Sequence, residues 1–204
     1  MKENRYKNVL AVGVGGQGLI TFGRVLAEAA ILNGVKVLTA EVHGMAQRGG
    51  SVVTHIRIGD VESPLIPLKG AHVIVSMELL EAARYINYAN KKTLLILNRR
   101  LIRPNVPGVK MPKMSDIIEK IKSSGLKTVV LDGDKLAEEA GSYVSANMVM
   151  LGALLGSKIL DGFVKLEDVE KVISRMPEPW REINIKALKL GYSSYSKAAT
   201  SDSD

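Results

Sequence analysis

The feature that most constrains this chain is residues 8–18, Asn-Val-Leu-Ala-Val-Gly-Val-Gly-Gly-Gln-Gly. Val9, Leu10, Ala11, Val12 and Val14 form an apolar run of strand length, and Gly13, Gly15 and Gly18 follow in G-x-G-x-x-G spacing. Leu19, Phe22, Leu26, Ala29 and Ala30 then recur at helical intervals as far as Asn33, where Gly34 stops the helix. Glycines between a strand and a helix permit a sharp turn, close backbone approach and tight helix-on-strand packing. The helix start offers unpaired N–H groups and partial positive charge, which suit a phosphate. Gly13, Gly15, Gly16, Gln17 and Gly18 are therefore candidate cofactor-binding residues, with Gln17 expected as an exposed amide at the loop tip. The plainer reading is a tight strand-to-helix turn with no ligand.

Residues 35–40 predict a second strand ending at Glu41, and residues 41–50, Glu-Val-His-Gly-Met-Ala-Gln-Arg-Gly-Gly, predict a loop too polar and glycine-rich for the core. Glu41 lies 23 positions beyond Gly18, where a dinucleotide-binding unit places the acid that takes the ribose hydroxyls. Its plainer role is a surface ion pair with Lys36 or Arg48. His43, Gln47, Arg48, Gly49 and Gly50 belong to the same loop. In an open parallel sheet both loops are expected at the carboxyl edge, where ligands bind. Arg48 suits two parallel hydrogen bonds to a carboxylate or phosphate, and His43 suits proton donation; these two are the candidate catalytic residues. His55 and His72 sit in strand contexts and read as structural, and no metal-ligand spacing is visible.

Further strands are predicted at 51–58, 71–76, 93–97 and 127–131, with a turn at Asp132 and Gly133. Helices are predicted at 77–90, at 115–123 with Ser115 as cap, near 147–160, and at 166–175 and 181–190. Pro104 and Pro107 keep the connection 99–112 irregular. Strands alternating with helices predict an α/β, Rossmann-like, mostly parallel sheet with helices on both faces, here with a small antiparallel insertion and a C-terminal helical extension. One domain over 1–192 is expected, its extension at 160–192, with a disordered tail at 193–204.

Composition narrows the function. The net charge is +7, but the basic residues read as dispersed and aromatics are only 4%, a poor match to a nucleic-acid binder. Without cysteine the chain has no disulfide, no thiolate nucleophile and no iron–sulfur cluster on its own thiolates. The charged N-terminus lacks a signal-peptide core, and the apolar stretch 143–160 is broken by Ser145, Asn147 and Lys158, so a cytoplasmic, non-membrane protein is expected. A helix N-terminus contributes only ~0.3–1 kcal/mol, or up to ~2 when sheltered. Micromolar binding takes ~8 kcal/mol. The glycine loop alone cannot hold a nucleotide, and no complete acid–base or nucleophile set accompanies it. The chain reads as part of a site.

GVGGQG at 13–18 and EVHGMAQRGGSV at 41–52 resemble the beta subunits of indolepyruvate:ferredoxin oxidoreductases, which carry the gamma-type domain of the 2-oxoacid:ferredoxin oxidoreductases. The likeness continues in HIRIG at 55–59, SPLIP at 63–67 and NMVMLGALLG at 147–156. HGMAQRGG is its most specific part and favours the arylpyruvate branch. The resemblance implies oxidative decarboxylation of an aryl 2-oxoacid with coenzyme A to aryl-acetyl-CoA and CO2, with reduction of ferredoxin. It implies that thiamine diphosphate and the iron–sulfur clusters belong to a larger alpha subunit, that coenzyme A is a possible shared ligand, and that this chain is inactive alone. From the residues themselves two other readings stand: a self-sufficient NAD-dependent oxidoreductase, and a non-catalytic scaffold or binding subunit.

Overall fold

The computed structural model describes residues 6–44, 49–103, 108 and 110–201. β1 (Tyr6–Val14) is the axis of the molecule, buried throughout from Asn8 to Val14. Val9 and Ala11 enter one apolar core and Leu10 and Val12 the other. That two-residue alternation is what a strand covered on both faces requires. β1 belongs to a six-stranded sheet in the order β2-β3-β1-β4-β5-β6. Its other members are β2 (Val37–His43), β3 (Ser51–Gly59), β4 (Val73–Ser76), β5 (Leu94–Asn98) and β6 (Lys127–Leu131). β1, β4, β5 and β6 are parallel, whereas β3 runs antiparallel between β1 and β2. The α/β fold expected from sequence, including its antiparallel insertion, is the fold formed.

Five helices cover the first face: α1 (Leu19–Leu32), α4 (Gly133–Ala140), α5 (Ala146–Gly156), α6 (Leu166–Ile173) and α7 (Trp180–Ser201). They contribute Phe22, Ala137, Met148, Val169 and Leu188 to one core. α2 (Leu79–Arg84) and α3 (Met114–Lys122) cover the other, through Leu79, Ala82, Ile117 and Ile121.

Several boundaries differ from the sequence reading. β2 runs to His43 because His43 pairs with Val52, so Glu41 and His43 lie on an edge strand rather than in a loop. The helix predicted at 77–90 stops at Arg84 and continues only as a short 3-10 turn, Ile86–Tyr88; the carbonyls of Asn87 and Tyr88 instead accept the amides of Lys69 and Ala71. Ser115 does not cap α3: Lys113 occupies that position, and the Ser115 hydroxyl bonds Asp116. The turn at Asp132 opens α4, capped by the Asp132 carboxylate on the Lys135 amide.

The chain end also differs. Residues 193–201 continue α7 instead of forming the expected disordered tail. The cause is a backbone-to-backbone contact between α5 and α7. A Cβ on Gly191 would overlap the Val149 carbonyl, and one on Gly152 would overlap that of Leu188. Tyr195, one turn beyond Gly191, is buried in the same core and carries the helix onward.

His55 is built into the middle of the sheet, opposite Leu10, and His72 into its other end, just before β4. Nδ1 of His55 accepts the Ile66 amide at 3.2 Å, and Nδ1 of His72 accepts the Asn8 amide at 3.0 Å. Arg57 donates to the Asn8 side chain and to the Ser63 carbonyl, tying residues 57–66 to β1. Burial pushes both imidazoles below their usual range, and for His72 the Lys7 and Arg57 charges add to this.

Two outcomes follow. Gly191→Ala should lower stability by roughly 1–3 kcal/mol, whereas exposed Ser193→Ala should change it by less than about 0.5, as read by thermal unfolding. The unfolded chain takes up protons on His55 and His72 near pH 6.5, about the free-imidazole pKa, while in the folded chain these two resist until a lower pH. The histidine contribution is therefore complete above that value and is lost as pH falls through it. The urea midpoint should drop between pH 7.5 and pH 5.5, and a His55→Gln/His72→Gln double variant should drop by less.

Candidate functional site

β2 runs in the same direction as β1, and β3 starts opposite the end of β1 with Ser51 beside Val14. Both glycine segments therefore lie at one carboxyl edge, and they touch. The Gly15 amide donates to the Gly50 carbonyl at 2.8 Å, and the Gly49 amide to the Gly15 carbonyl at 3.5 Å. On the opposite face the Ser51 hydroxyl donates to Glu81 at 2.5 Å and stands 3.1 Å from the Tyr85 hydroxyl.

The glycines of the first loop serve the chain's own side chains. A Cβ on Gly13 would lie 2.7 Å from the Gln17 amide oxygen, and one on Gly18 would overlap the Asn147 side chain, which donates to the Gly18 carbonyl at 3.1 Å. Gln17 is not the free amide expected at the loop tip. Its oxygen accepts the Val14 amide at 2.7 Å and its nitrogen donates to the Met77 carbonyl at 3.1 Å. The short polar side chain of the loop closes the turn and ties β1 to β4. Of the predicted backbone donors, Gly15 is spent on Gly50 and Gln17 on Val14. Gly16 faces open space, with a φ of 101° that favours glycine.

What remains for a ligand is the first turn of α1. A pocket of about 660 Å³ opens there, lined by Val14, Gly16, Leu19, Ile20, Val52 and His43 among others. Gly18 caps α1 in the left-handed conformation and supplies no side-chain cap, so the first-turn amides point outward. His43 is exposed at the rim, and its Nδ1–H donates to the Gly44 carbonyl at 3.1 Å.

Glu41 is not brought to this pocket. It pairs with Thr54, which pairs with Ala11, so it stands two strands out on the exposed edge, level with the middle of β1. A dinucleotide fold needs its acidic strand directly beside β1, and here the antiparallel β3 occupies that position. This geometry removes the basis for the NAD reading. Gln47 and Arg48 lie outside the described residues.

A second, smaller crevice of about 250 Å³ opens between the ends of β1 and β4, among Gln17, Met77, Asn98, Arg100, Ile102 and Tyr143. β1 leads to a helix on one face and β4 to a helix on the other, which makes this the switch point of the sheet. Its polar groups are engaged with one another. Asn98 donates to Asp134 at 3.0 Å and accepts the Gly133 amide at 2.9 Å, and Arg100 pairs with Asp134 at 3.3 Å. Glu78, 1% exposed, caps α2 at the Glu81 amide and holds the Ile102 amide at 3.0 Å. Burial raises its carboxyl above the usual range, against the pull of those backbone bonds. None of these residues carries a motif that sequence alone would single out; they meet only through the strand order. Among the described residues no group of three or more His, Asp or Glu side chains is placed to hold a metal, and no helix is long and apolar enough to cross a membrane.

The family model described as pyruvate ferredoxin/flavodoxin oxidoreductase matches residues 8–194, from the first buried residue of β1 into α7. The chain belongs to this family. It is 43% identical over 189 residues to indolepyruvate oxidoreductase subunit IorB of Archaeoglobus fulgidus, covering 91% of this chain and 93% of that one. It is 39% identical to the subunit of the same name from Thermococcus kodakarensis, over 90% and 93% of the two chains. Among solved structures, a keto/oxoacid ferredoxin oxidoreductase gamma subunit from Geobacter sulfurreducens superposes with a TM-score of 0.71 at 26% identity, covering 94% of this chain and 99% of that one. The family match therefore spans both glycine segments and the α5–α7 contact together.

Removing the Gln17 brace tests how this family member holds its loop. Gln17→Ala leaves the Val14 amide and Met77 carbonyl without their partner, and should lower stability by about 1–3 kcal/mol in chemical denaturation.

Proposed function

We propose that this chain is the beta subunit of an indolepyruvate, or aryl 2-oxoacid, ferredoxin oxidoreductase, a single gamma-type domain over 1–192 that is inactive until its carboxyl edge closes on a larger alpha subunit. The observation that carries this reading is the 43% identity to an indolepyruvate oxidoreductase subunit across nearly the whole of both chains. The incomplete site supports it too. The pocket has an anion-accepting helix start and one histidine, and among its described lining residues there is no second acid–base group.

In the reaction, the bond from the 2-oxo carbon to the carboxylate breaks, a thioester bond to coenzyme A forms, CO2 leaves, and two electrons pass to ferredoxin. Thiamine diphosphate and iron–sulfur clusters supply the carbanion and electron-transfer chemistry, and the alpha subunit holds them. This chain has no cysteine, so a thiolate-held cluster has to sit on another chain.

The role assigned to this chain's own residues is to bind and to exclude water. The first-turn amides of α1 and the imidazole of His43 line one pocket, the right chemistry for a phosphate-bearing ligand shared with the alpha subunit, coenzyme A being the candidate. Arg48, two residues before Gly50, is the sequence's candidate for gripping the substrate or cofactor.

Co-expression with the thiamine- and cluster-bearing subunit provides the test. The assembled complex should reduce ferredoxin with indolepyruvate and coenzyme A, and each chain alone should be inactive. His43→Ala should lower kcat/KM for coenzyme A about tenfold, the equivalent of about 1.4 kcal/mol. Full activity of the large subunit without this chain, or micromolar NADH binding by this chain alone, would overturn the proposal.

A further inference from the structure

Glu81 and Asp116 bracket 34 residues that hold eight lysines and arginines and no acid. Outside that stretch basic and acidic residues balance to within one charge, so the net +7 belongs to it. The basic residues are not dispersed, as a first reading of the composition has them. Two of the eight are paired in the fold, Arg84 with Glu81 and Arg100 with Asp134. Lys91 and Lys92 precede β5, at the sheet's opposite end. The remaining four, Arg99, Arg103, Lys110 and Lys113, lie on the connection from the carboxyl end of β5 to α3. All four are exposed, and none is ion-paired among the described residues.

Their placement is not the one folding favours. Lys113 is the N-cap of α3, where the helix end is itself positive and an anion is preferred. Like charges gathered on one connection repel one another. The connection starts beside the glycine loop, because Arg100 and Ile102 line the same crevice as Gly15, Gly16 and Gln17. The outer wall of that crevice is Tyr143, 62% exposed, and Val144, 52% exposed. Ile20, 57% exposed, stands on the other side of the glycine loop in the first turn of α1. An apolar centre bordered by charge is the anatomy of a protein–protein interface.

We infer that Arg99, Arg103, Lys110 and Lys113 form the cationic rim of the contact with the larger subunit, and that the face they meet is acidic. This rests on the docking proposed above and adds the chemistry of the partner surface. A rim of this kind acts through long-range attraction, which speeds encounter and sets orientation, and salt screens it. Four cations spread over fifteen residues of sequence match a broad acidic protein surface better than one compact phosphate.

The test compares wild type with an Arg103→Glu/Lys110→Glu/Lys113→Glu variant, each binding the large subunit at about 50 mM and about 500 mM salt, on either side of effective screening. The wild-type Kd should rise with salt. The variant Kd should be higher on the order of tenfold at low salt and should fall as salt screens the repulsion between its glutamates and the acidic face. The neutral Arg103→Gln/Lys110→Gln/Lys113→Gln variant should fall between them, and thermal unfolding of each variant confirms that it folds. Equal Kd values for wild type and variants at both salts would overturn the inference while leaving the docking intact. Unchanged assembly with a raised KM for an acidic redox-carrier protein would also overturn it, because the rim would then belong to that carrier. A wild-type chain that fails to associate at any salt would instead defeat the parent proposal.

Discussion

Everything at the carboxyl edge depends on a backbone pairing that continues past the end of the sheet. β3 lies antiparallel beside β1, and the register carries on from Val14–Ser51 to the hydrogen bond from Gly15 to Gly50. With a parallel neighbour in that place, the second glycine segment would be delivered to the sheet's other end or to a separate crossover. The antiparallel strand instead returns the chain to the point where β1 turns into α1. Two segments more than thirty residues apart in sequence thus become one surface, and the Ser51 hydroxyl on Glu81 fixes it from the opposite face.

The same arrangement explains why a dinucleotide fingerprint does not make a dinucleotide site. In such a site the glycines leave room for a pyrophosphate. Here Gly13 leaves room for Gln17, and Gly18 leaves room for Asn147. Gln17 then spans from β1 to β4, and Asn147 joins the start of α1 to α5. The turn is rigid without any ligand, a property suited to a surface that must be preformed when a partner arrives. α1 keeps its open first turn, so the anion-accepting part of the motif survives while the rest has become internal scaffolding.

How much of this was legible in the sequence follows from which interactions are local. The apolar run 9–14, the helix after Gly18 and the strands at 51–58 and 127–131 are set by periodicity within a few residues, and they form as expected. Features set by distant contacts were not legible. Gly133 reads as a turn, yet it is a helix start, where a Cβ would press on the Asn98 amide oxygen at 2.9 Å. The end of α7 reads as a polar tail, yet it is helical because Gly191 lets its backbone lie against α5. At the site, HGMAQRGG was recognisable as a motif, but the inward turn of Gln17 and the outward displacement of Glu41 depend on strand order. Strand order is the one thing that an alternation of strand and helix signals leaves open.

The distribution of satisfied and unsatisfied groups then says what kind of surface this is. Asn98, Arg100 and Gln17 line the crevice between β1 and β4, Asp134 and Glu78 bond the residues around it, and each of the five is already bonded within the protein. Among buried side-chain polar atoms of the described residues, only the Thr54 hydroxyl lacks a partner. A catalytic centre keeps reactive groups poised for substrate, often with pKa values moved toward neutrality for that purpose. At this edge the buried acid with a raised pKa, Glu78, is engaged as a helix cap and a strap on Ile102. The groups left over are of two kinds, apolar (Ile20, Tyr143, Val144) and cationic (Arg99, Arg103, Lys110, Lys113). Apolar area and unpaired positive charge gain most from contact with another macromolecule, the first by leaving water and the second by meeting an opposite charge. On the docking proposed above, the edge of this sheet is organised first as an interface, and the opposing wall completes its anion-accepting pocket.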